Sequence, residues 1–220
     1  MEITAEMVRK LREETGAGMM ECKSALVESA GDSEKARDLL RKKGLASAAK
    51  KAGRAANDGM VGTYIHPGSK VGVLVEVNCE TDFVAKTPDF QNLVKDVAMH
   101  IAAASPAGAL YVSKDEVPAD VVEKEKEIYK AQAAAAGKPA NVVEKIAVGK
   151  VKEYYATFCL LEQPFVKDPK LTVGQLIQEK IALIKENIVV RRFARFRVGE
   201  EIAARAGSGE SAAPAAVASE

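Results

Sequence analysis

Apolar positions in the first 45 residues recur at helical spacing in three short groups, separated by glycines and capping residues. Thr4 precedes a group in which Met7, Val8 and Leu11 face inward. Thr15-Gly16-Ala17-Gly18 stops it, because glycine adopts the positive φ that a tight reversal needs. The second group carries Met19, Cys22, Ala25 and Leu26 and ends at Gly31. Asp32 is a good cap for the third, with Ala36, Leu39 and Leu40 inward, and Gly44 stands where a C-terminal glycine belongs. These groups predict a small three-helix bundle. The stretch Leu45 to Ala56, rich in Ala and Lys, reads as a helical or extended linker, so that residues 1–55 make up one module and its linker.

From Gly59 the period changes from 3.6 to 2. Val61, Thr63 and Ile65 alternate, Pro67-Gly68-Ser69 turns the chain, and Val71 to Cys79 is rich in β-branched residues, which predicts an antiparallel hairpin. Glu80-Thr81-Asp82 reads as a turn. Thr87-Pro88 then supplies a cap and a first-turn proline for a helix whose stripe is Phe90, Leu93, Val94, Val97, Ala98 and Ile101. Ser105-Pro106 breaks that helix, and Leu110 to Val112 reads as a short strand. Two charged segments follow, Ala119 to Ala136 and Asn141 to Ala156. The link Gly137-Lys138-Pro139 is too short for anything but antiparallel neighbours, so a helical hairpin projecting from the body is expected. Thr157 to Leu161 is strand-like, and Thr172 caps a helix bearing Val173, Leu176, Ile177, Ile181 and Ile184. Ile188 to Val198 is a strand whose alternation puts Ile188, Val190, Ala194, Phe196 and Val198 on one core face. Gly207 to Glu220 has no apolar period, and a disordered tail is expected over 201–220.

Composition narrows the class. Of the 220 residues, 47% are hydrophobic and 29% charged, and no apolar run approaches the roughly 20 residues of a membrane span. Lys plus Arg number 32 against 31 Asp plus Glu, so nucleic-acid or lipid binding would have to come from a local patch. Three widely separated cysteines, Cys22, Cys79 and Cys159, argue against a disulfide framework and for a reducing compartment. Met1 to Arg12 has the character of neither a secretion signal nor a transit peptide, so a cytoplasmic or mature organellar chain is expected.

Catalytic chemistry finds little support. His66 and His100 are the only imidazoles, and His100 falls within an amphipathic helix. The cysteines show no zinc-ligand spacing, and Thr15-Gly16-Ala17-Gly18 lacks both the dinucleotide fingerprint and the lysine of a phosphate-binding loop. No cofactor and no metal are expected. An enzyme using Cys79 or Cys159 would lack a nearby base. The segment Arg191 to Arg197 interleaves arginines with Phe193 and Phe196, which suits RNA as well as a solvated strand. Cys79-Glu80-Thr81-Asp82-Phe83-Val84 has two readings. Thr81 or Asp82 caps a turn with Phe83 folded back on the core, or Phe83 is an exposed wedge on a rigid hairpin.

Two segments, Leu11-Arg12-Glu13-Glu14-Thr15-Gly16-Ala17-Gly18-Met19-Met20-Glu21-Cys22-Lys23 and Val75-Glu76-Val77-Asn78-Cys79-Glu80-Thr81-Asp82-Phe83-Val84-Ala85, resemble the signatures of the translation elongation factor Ts family. The likeness continues through Gly137-Lys138-Pro139, Gln163-Pro164-Phe165-Val166 and Thr172-Val173-Gly174-Gln175-Leu176. Glu21 stands where the family more often has Asp, and Glu80 where some members have Gln. The resemblance implies an α+β protein: a ubiquitin-associated-like N-terminal module, then an α+β core over 56–200 that carries an antiparallel coiled-coil hairpin at about 119–156. It further implies a guanine nucleotide exchange factor, with no bond-making chemistry, for the GDP form of elongation factor Tu. Arg12, Met19 and Met20 match contact positions for the partner's nucleotide-binding domain. Thr81, Asp82, Phe83 and Val84 match an element that intrudes near its Mg²⁺ site. A single core copy looks like the short form, for which a homodimer is expected, in the bacterial cytoplasm or, as a mature chain, the plastid stroma. Neither nucleic acid nor membrane is expected as a partner.

Overall fold

The computed structural model describes residues 3–104 and 108–200; the expected break at Ser105-Pro106 and the tail over 201–220 lie outside them. Helix α1 (Ala5–Thr15) starts where Thr4 Oγ1 accepts the Met7 N–H at 3.3 Å and stops at Gly16, which takes φ 67°. Helix α2 (Met19–Glu28) follows. Helix α3 (Ser33–Lys51) is capped by Asp32, whose Oδ1 accepts the N–H groups of Glu34 and Lys35 at 3.1 Å. Val8, Leu11, Cys22, Ala25, Leu26 and Ala36 close into a core of their own. Met19 sits on the first turn of α2, outside this core, and is 49% exposed.

Gly44 does not end the third helix. It lies inside α3, and a Cβ there would stand 3.0 Å from the Ala182 Cβ, so the glycine serves close helix approach. The helix therefore continues to Lys51, and Ala48 on its second half belongs to the larger core. One helix thus spans both hydrophobic clusters.

The larger core is built on a sheet of three antiparallel strands in the order β1-β2-β5: β1 (Asp58–Ile65), β2 (Val71–Cys79) and β5 (Ile188–Arg197). Register runs from Asp58↔Cys79 to Ile65↔Gly72 between the first two strands. Alternation buries Val73, Val75, Val77 and Cys79 on one face. Against this face packs α5 (Pro88–Ala103), whose Phe90 N–H is capped by Thr87 Oγ1 at 3.4 Å, with Phe90, Leu93, Val94, Val97 and Ile101 inward. Helix α8 (Val173–Ile184) completes the layer. It begins with a reciprocal capping box, Gln175 N–H to Thr172 Oγ1 at 3.1 Å and Thr172 N–H to Gln175 Oε1 at 3.0 Å.

Strand β5 keeps its expected face only at its start. Ile188 and Val190 are buried, but Glu76 pairs with Arg192 while Val77 pairs with Val190, so Arg191 is an extra, bulged residue. The bulge inverts the side-chain phase. Phe193 and the Arg195 side chain turn inward, and Phe196, expected in the core, is 67% exposed.

Helices α6 (Ala119–Ala135) and α7 (Ala140–Phe158) form the expected helical pair, roughly 26 and 28 Å long at 1.5 Å per residue. Ala133 and Ala147 are buried, and Lys126 and Lys130 both reach Glu144 across the pair, at 3.5 and 2.6 Å. Thr157 to Leu161 is not a strand: α7 runs to Phe158 and a 3₁₀ turn covers Leu160–Glu162. Nor is Leu110 to Val112 a strand, since Tyr111 makes only an isolated bridge to Cys159. Backbone bonds from Leu110 and Tyr111 to the Phe158 carbonyl root the hairpin in the core. A second small hairpin, β3 (Pro164–Phe165) with β4 (Asp168–Thr172), gave no sequence signal of its own.

His100 is buried and serves this junction. Its Nδ1 accepts the Val166 N–H at 3.2 Å, which fixes the proton on Nε2, facing Gln163 Oε1 at 2.9 Å. Burial lowers its pKa below the ordinary 6.5, opposed by the Gln163 hydrogen bond. The unfolded chain therefore binds the extra proton at a higher pH than the folded one. The stabilisation is complete above about pH 6.5 and is lost as pH falls toward the folded value. Urea midpoints measured from pH 7 to pH 5 are expected to fall more steeply for the wild type than for His100→Gln; equal slopes would remove His100 from the acid sensitivity.

Candidate functional site

Two exposed surfaces carry the residues singled out in the sequence. The first flanks the reversal between α1 and α2. Arg12 is exposed on the last turn of α1, and its carbonyl accepts the Gly16 N–H at 2.8 Å. Across the turn, Glu21 Oε2 accepts the Gly18 N–H at 3.0 Å, closing the start of α2 and leaving Met19 and Met20 outside the module core. Met20 is 74% exposed. An unbranched thioether in water at a helix start contributes nothing to its own fold, and Met is suited to adaptable apolar contacts.

The second surface begins where β2 ends. The Cys79 thiol donates to the Thr81 carbonyl at 3.1 Å, and Thr81 takes extended dihedrals as the cap of a single-turn helix, α4 (Asp82–Ala85). Thr81 Oγ1 accepts the Val84 N–H at 3.4 Å, and the Thr87 hydroxyl closes the turn on the Val84 carbonyl at 2.7 Å. Of the two readings of this segment, both halves hold in part. Thr81 is a cap, but Phe83 does not fold back; it is 79% exposed, the most exposed of the large apolar side chains described. Val84 points the other way and packs on the core, so it anchors the turn. Asp82 is half-exposed and pairs with Lys86 Nζ at 2.6 Å, which holds its carboxyl below the usual carboxylate range.

Sequence reasoning missed what supports these surfaces. The tripeptide Lys185-Glu186-Asn187 joins α8 to β5. Lys185 takes the left-handed conformation, φ 69°, and its Nζ reaches Glu21 Oε1 at 2.8 Å, which lowers the Glu21 pKa together with the Gly18 N–H. Glu186 Oε2 accepts the N–H groups of Glu80 and Thr81 at 3.1 and 3.0 Å, and its Oε1 accepts the Thr81 hydroxyl at 2.7 Å. Asn187 is buried. Its N–H donates to Glu80 Oε1 at 2.6 Å, and its Nδ2 donates to the Arg54 carbonyl at 2.7 Å and, more weakly, to that of Ala52 at 3.4 Å. Arg54 in turn approaches Glu80 at 3.5 Å. The only local signal is a polar tripeptide between an apolar helix and an apolar strand, and nothing in it names partners some hundred residues away.

Enzyme chemistry fares poorly on the same geometry. Burial pushes the Cys79 thiol up to about 11 and the Cys159 thiol up to about 12, so neither supplies a thiolate near neutral pH. Among the described residues no group of three or more His, Cys, Asp and Glu side chains is placed to hold a metal ion. In the arginine-rich strand, Arg191 and Arg192 stay exposed but both pair with Glu76, at 3.8 and 2.6 Å, and the Arg195 side chain is largely buried beside Glu200.

The model of the family described as Elongation factor TS matches residues 6–200. The chain belongs to the elongation factor Ts family. It is 64% identical over 200 residues to the elongation factor Ts of Geotalea daltonii, covering 91% of each chain. It is 62% identical over 200 residues to that of Geobacter sulfurreducens, again 91% of each, and 61% identical to that of Acetivibrio thermocellus, 91% of this chain and 92% of the relative. Both surfaces lie within the matched span. No helix among the described residues is long and apolar enough to cross a membrane.

Exposure predicts that the two surfaces can be altered without harm to the fold. Met20→Ala and Phe83→Ala are expected to change stability by no more than about 0.5 kcal/mol, as for ordinary surface positions. Phe90→Ala, in the core, is expected to lose about 3 to 5 kcal/mol. Urea denaturation followed by circular dichroism separates these outcomes, and a large loss in Met20→Ala would make Met20 a core residue.

Proposed function

We propose that the chain is a guanine nucleotide exchange factor that accelerates GDP release from elongation factor Tu by disturbing the partner's Mg²⁺ site. Family membership supports the nucleotide-exchange role in translation elongation. The observation that carries the finer mechanism is Phe83, an aromatic side chain held almost wholly in solvent on a capped turn that ends a core strand. A large apolar group in that position gains nothing for the free chain and is available to a partner.

In this reading the ubiquitin-associated-like module docks through Arg12, Met19 and Met20 on the nucleotide-binding domain of the GDP form. The core presents Thr81, Asp82, Phe83 and Val84 to the Mg²⁺ site, with the α6–α7 pair as the family's coiled-coil hairpin. No bond is made or broken. A factor that binds the nucleotide-free partner more tightly must by reciprocity weaken nucleotide binding by the same ratio, and weaker binding allows faster release. Asp82 brings a carboxylate and Phe83 bulk to a place where Mg²⁺ ligation depends on a fixed arrangement of oxygen atoms. The module supplies affinity and the wedge supplies the differential.

Stopped-flow release of a fluorescent GDP from elongation factor Tu, titrated with factor, tests this division. Truncating an interface anchor costs about 1 to 2 kcal/mol, so Met20→Ala is expected to raise the half-saturating concentration roughly 5- to 30-fold with the maximal rate retained. Phe83→Ala is expected to lower the maximal rate. If Phe83→Ala reaches the wild-type maximum, the wedge has no part in exchange.

A homodimer is supported by the uncovered face of the sheet. Val61, Ile65, Leu74 and Phe196 are exposed there, on the side away from α5. Sedimentation equilibrium at micromolar concentration is expected to give twice the chain mass and, for Phe196→Glu, the chain mass; a monomeric wild type would remove the dimer.

A further inference from the structure

The turn that bears Phe83 is too short to hold itself. A helix of four residues has one cap and few internal bonds, and isolated turns of this length are unstable in water. Its orientation therefore depends on the packing of Val84 against the core and, at its start, on Thr81 and whatever fixes Thr81. A threonine hydroxyl has a single proton. Here the Thr81 hydroxyl gives that proton to Glu186 Oε1 at 2.7 Å, which leaves its lone pairs aimed at the Val84 N–H, the capping bond of α4. The same carboxylate takes the N–H groups of Glu80 and Thr81, two donors just beyond the last paired residue of β2. One side chain thus satisfies three donors and sets the direction of the fourth bond.

Glu186 is itself held in place. It follows Lys185, whose left-handed backbone reverses the chain at the end of α8. It precedes Asn187, whose N–H binds the Glu80 carboxylate at 2.6 Å, so that residues 80 and 186–187 grip each other from both sides. Glu186 lies half-buried behind the turn, while Phe83 extends into solvent. Three of the roughly four acceptor sites of the Glu186 carboxylate are thus used within the chain, on the side of the turn away from Phe83.

We infer that Glu186 is a positioning residue for exchange: its carboxylate aims the Thr81–Val84 turn, and through it Phe83 and Asp82, without touching the partner. The inference rests on the wedge reading given above. Loss of the carboxylate frees the Thr81 hydroxyl to rotate and leaves the Glu80 and Thr81 N–H groups to water, so the turn samples orientations that do not engage. Docking through Met19 and Met20 continues.

The test is the same fluorescent-GDP release with full-length Glu186→Ala, Glu186→Gln, Phe83→Ala and the double variant Glu186→Ala/Phe83→Ala, each checked for folding by circular dichroism. Glu186→Ala is expected to lower the maximal release rate on the order of tenfold, with the half-saturating concentration within about twofold of wild type. Glu186→Gln keeps one acceptor oxygen in the same shape and is expected to fall between the two. The double variant is expected to be no slower than Phe83→Ala by more than about twofold, because both changes disable one element. A wild-type maximal rate in Glu186→Ala, beside a slow Phe83→Ala, overturns the positioning role and leaves the wedge intact. A wild-type rate in Phe83→Ala overturns the wedge reading itself. A shift confined to half-saturation assigns Glu186 to docking and also overturns the inference. If Glu186→Ala does not fold, Glu186→Gln carries the comparison with the same outcomes.

Discussion

The carboxylate of Glu186, gripping the backbone just past β2, is the interaction on which the proposed aiming of the Thr81–Val84 turn depends. Hydrogen bonds to a charged acceptor contribute about 1.5 to 3 kcal/mol each, less where, as at Thr81, the donors are exposed to water. With Lys185 on one side and Asn187 on the other, three successive residues bind three separate parts of the chain. Lys185 reaches the start of α2, Glu186 the exit of β2, and Asn187 the segment leaving α3. The N-terminal module and the wedge are thereby referred to one short turn at the end of α8. Helix α3 adds a second tie, because it contributes to both hydrophobic clusters and crosses α8 closely at Gly44.

That rigidity suits a protein whose task is to change another's affinity. An exchange factor acts only by the difference between its interactions with two states of its partner. Immobilising a loose, rotamer-rich element on binding costs about 0.5 to 1.5 kcal/mol per side chain, which would be subtracted from that difference. On the proposed mechanism, a wedge already aimed in the free factor avoids the subtraction. The Asp82–Lys86 pair is the part of this surface open to rearrangement, since both groups are exposed and such pairs contribute little to stability.

Much of the fold was legible because its signals are local. Thr4, Asp32, Thr87 and Thr172 each cap the helix expected of them, and the β1–β2 hairpin follows its alternation. The misreadings have tertiary causes. Gly44 looked like a helix end but serves the approach of α8, a contact visible only across some 140 residues. Arg191 reads as one more alternating residue until pairing with β2 makes it a bulge and reverses the faces of Phe193 and Phe196. Thr157 to Leu161 has a strand's composition, but α7 takes in Thr157 and Phe158 and a 3₁₀ turn starts at Leu160. At the site, Arg12, Met19 and Met20 came from motif resemblance, whereas the Thr81–Val84 segment stood out already as an aromatic beside an acid at a strand's end. Their exposure, and the inward turn of Val84, are consequences of packing. Glu186 had no sequence signal, because a lone acid in a turn acquires its meaning from Glu80 and Thr81, brought to it by the pairing of β2 with β5.

The central claim, that an aimed Phe83 and Asp82 act on the partner's Mg²⁺ site, is tested most directly by comparing GDP release with saturating wild-type factor and saturating Phe83→Ala, in Mg²⁺ and after chelation. With Mg²⁺ present the wild type is expected to be clearly faster. With Mg²⁺ removed the two are expected to converge, because the ion that the wedge is proposed to displace is already gone. A rate ratio unchanged by chelation would contradict the account and assign exchange to contacts that do not involve the metal.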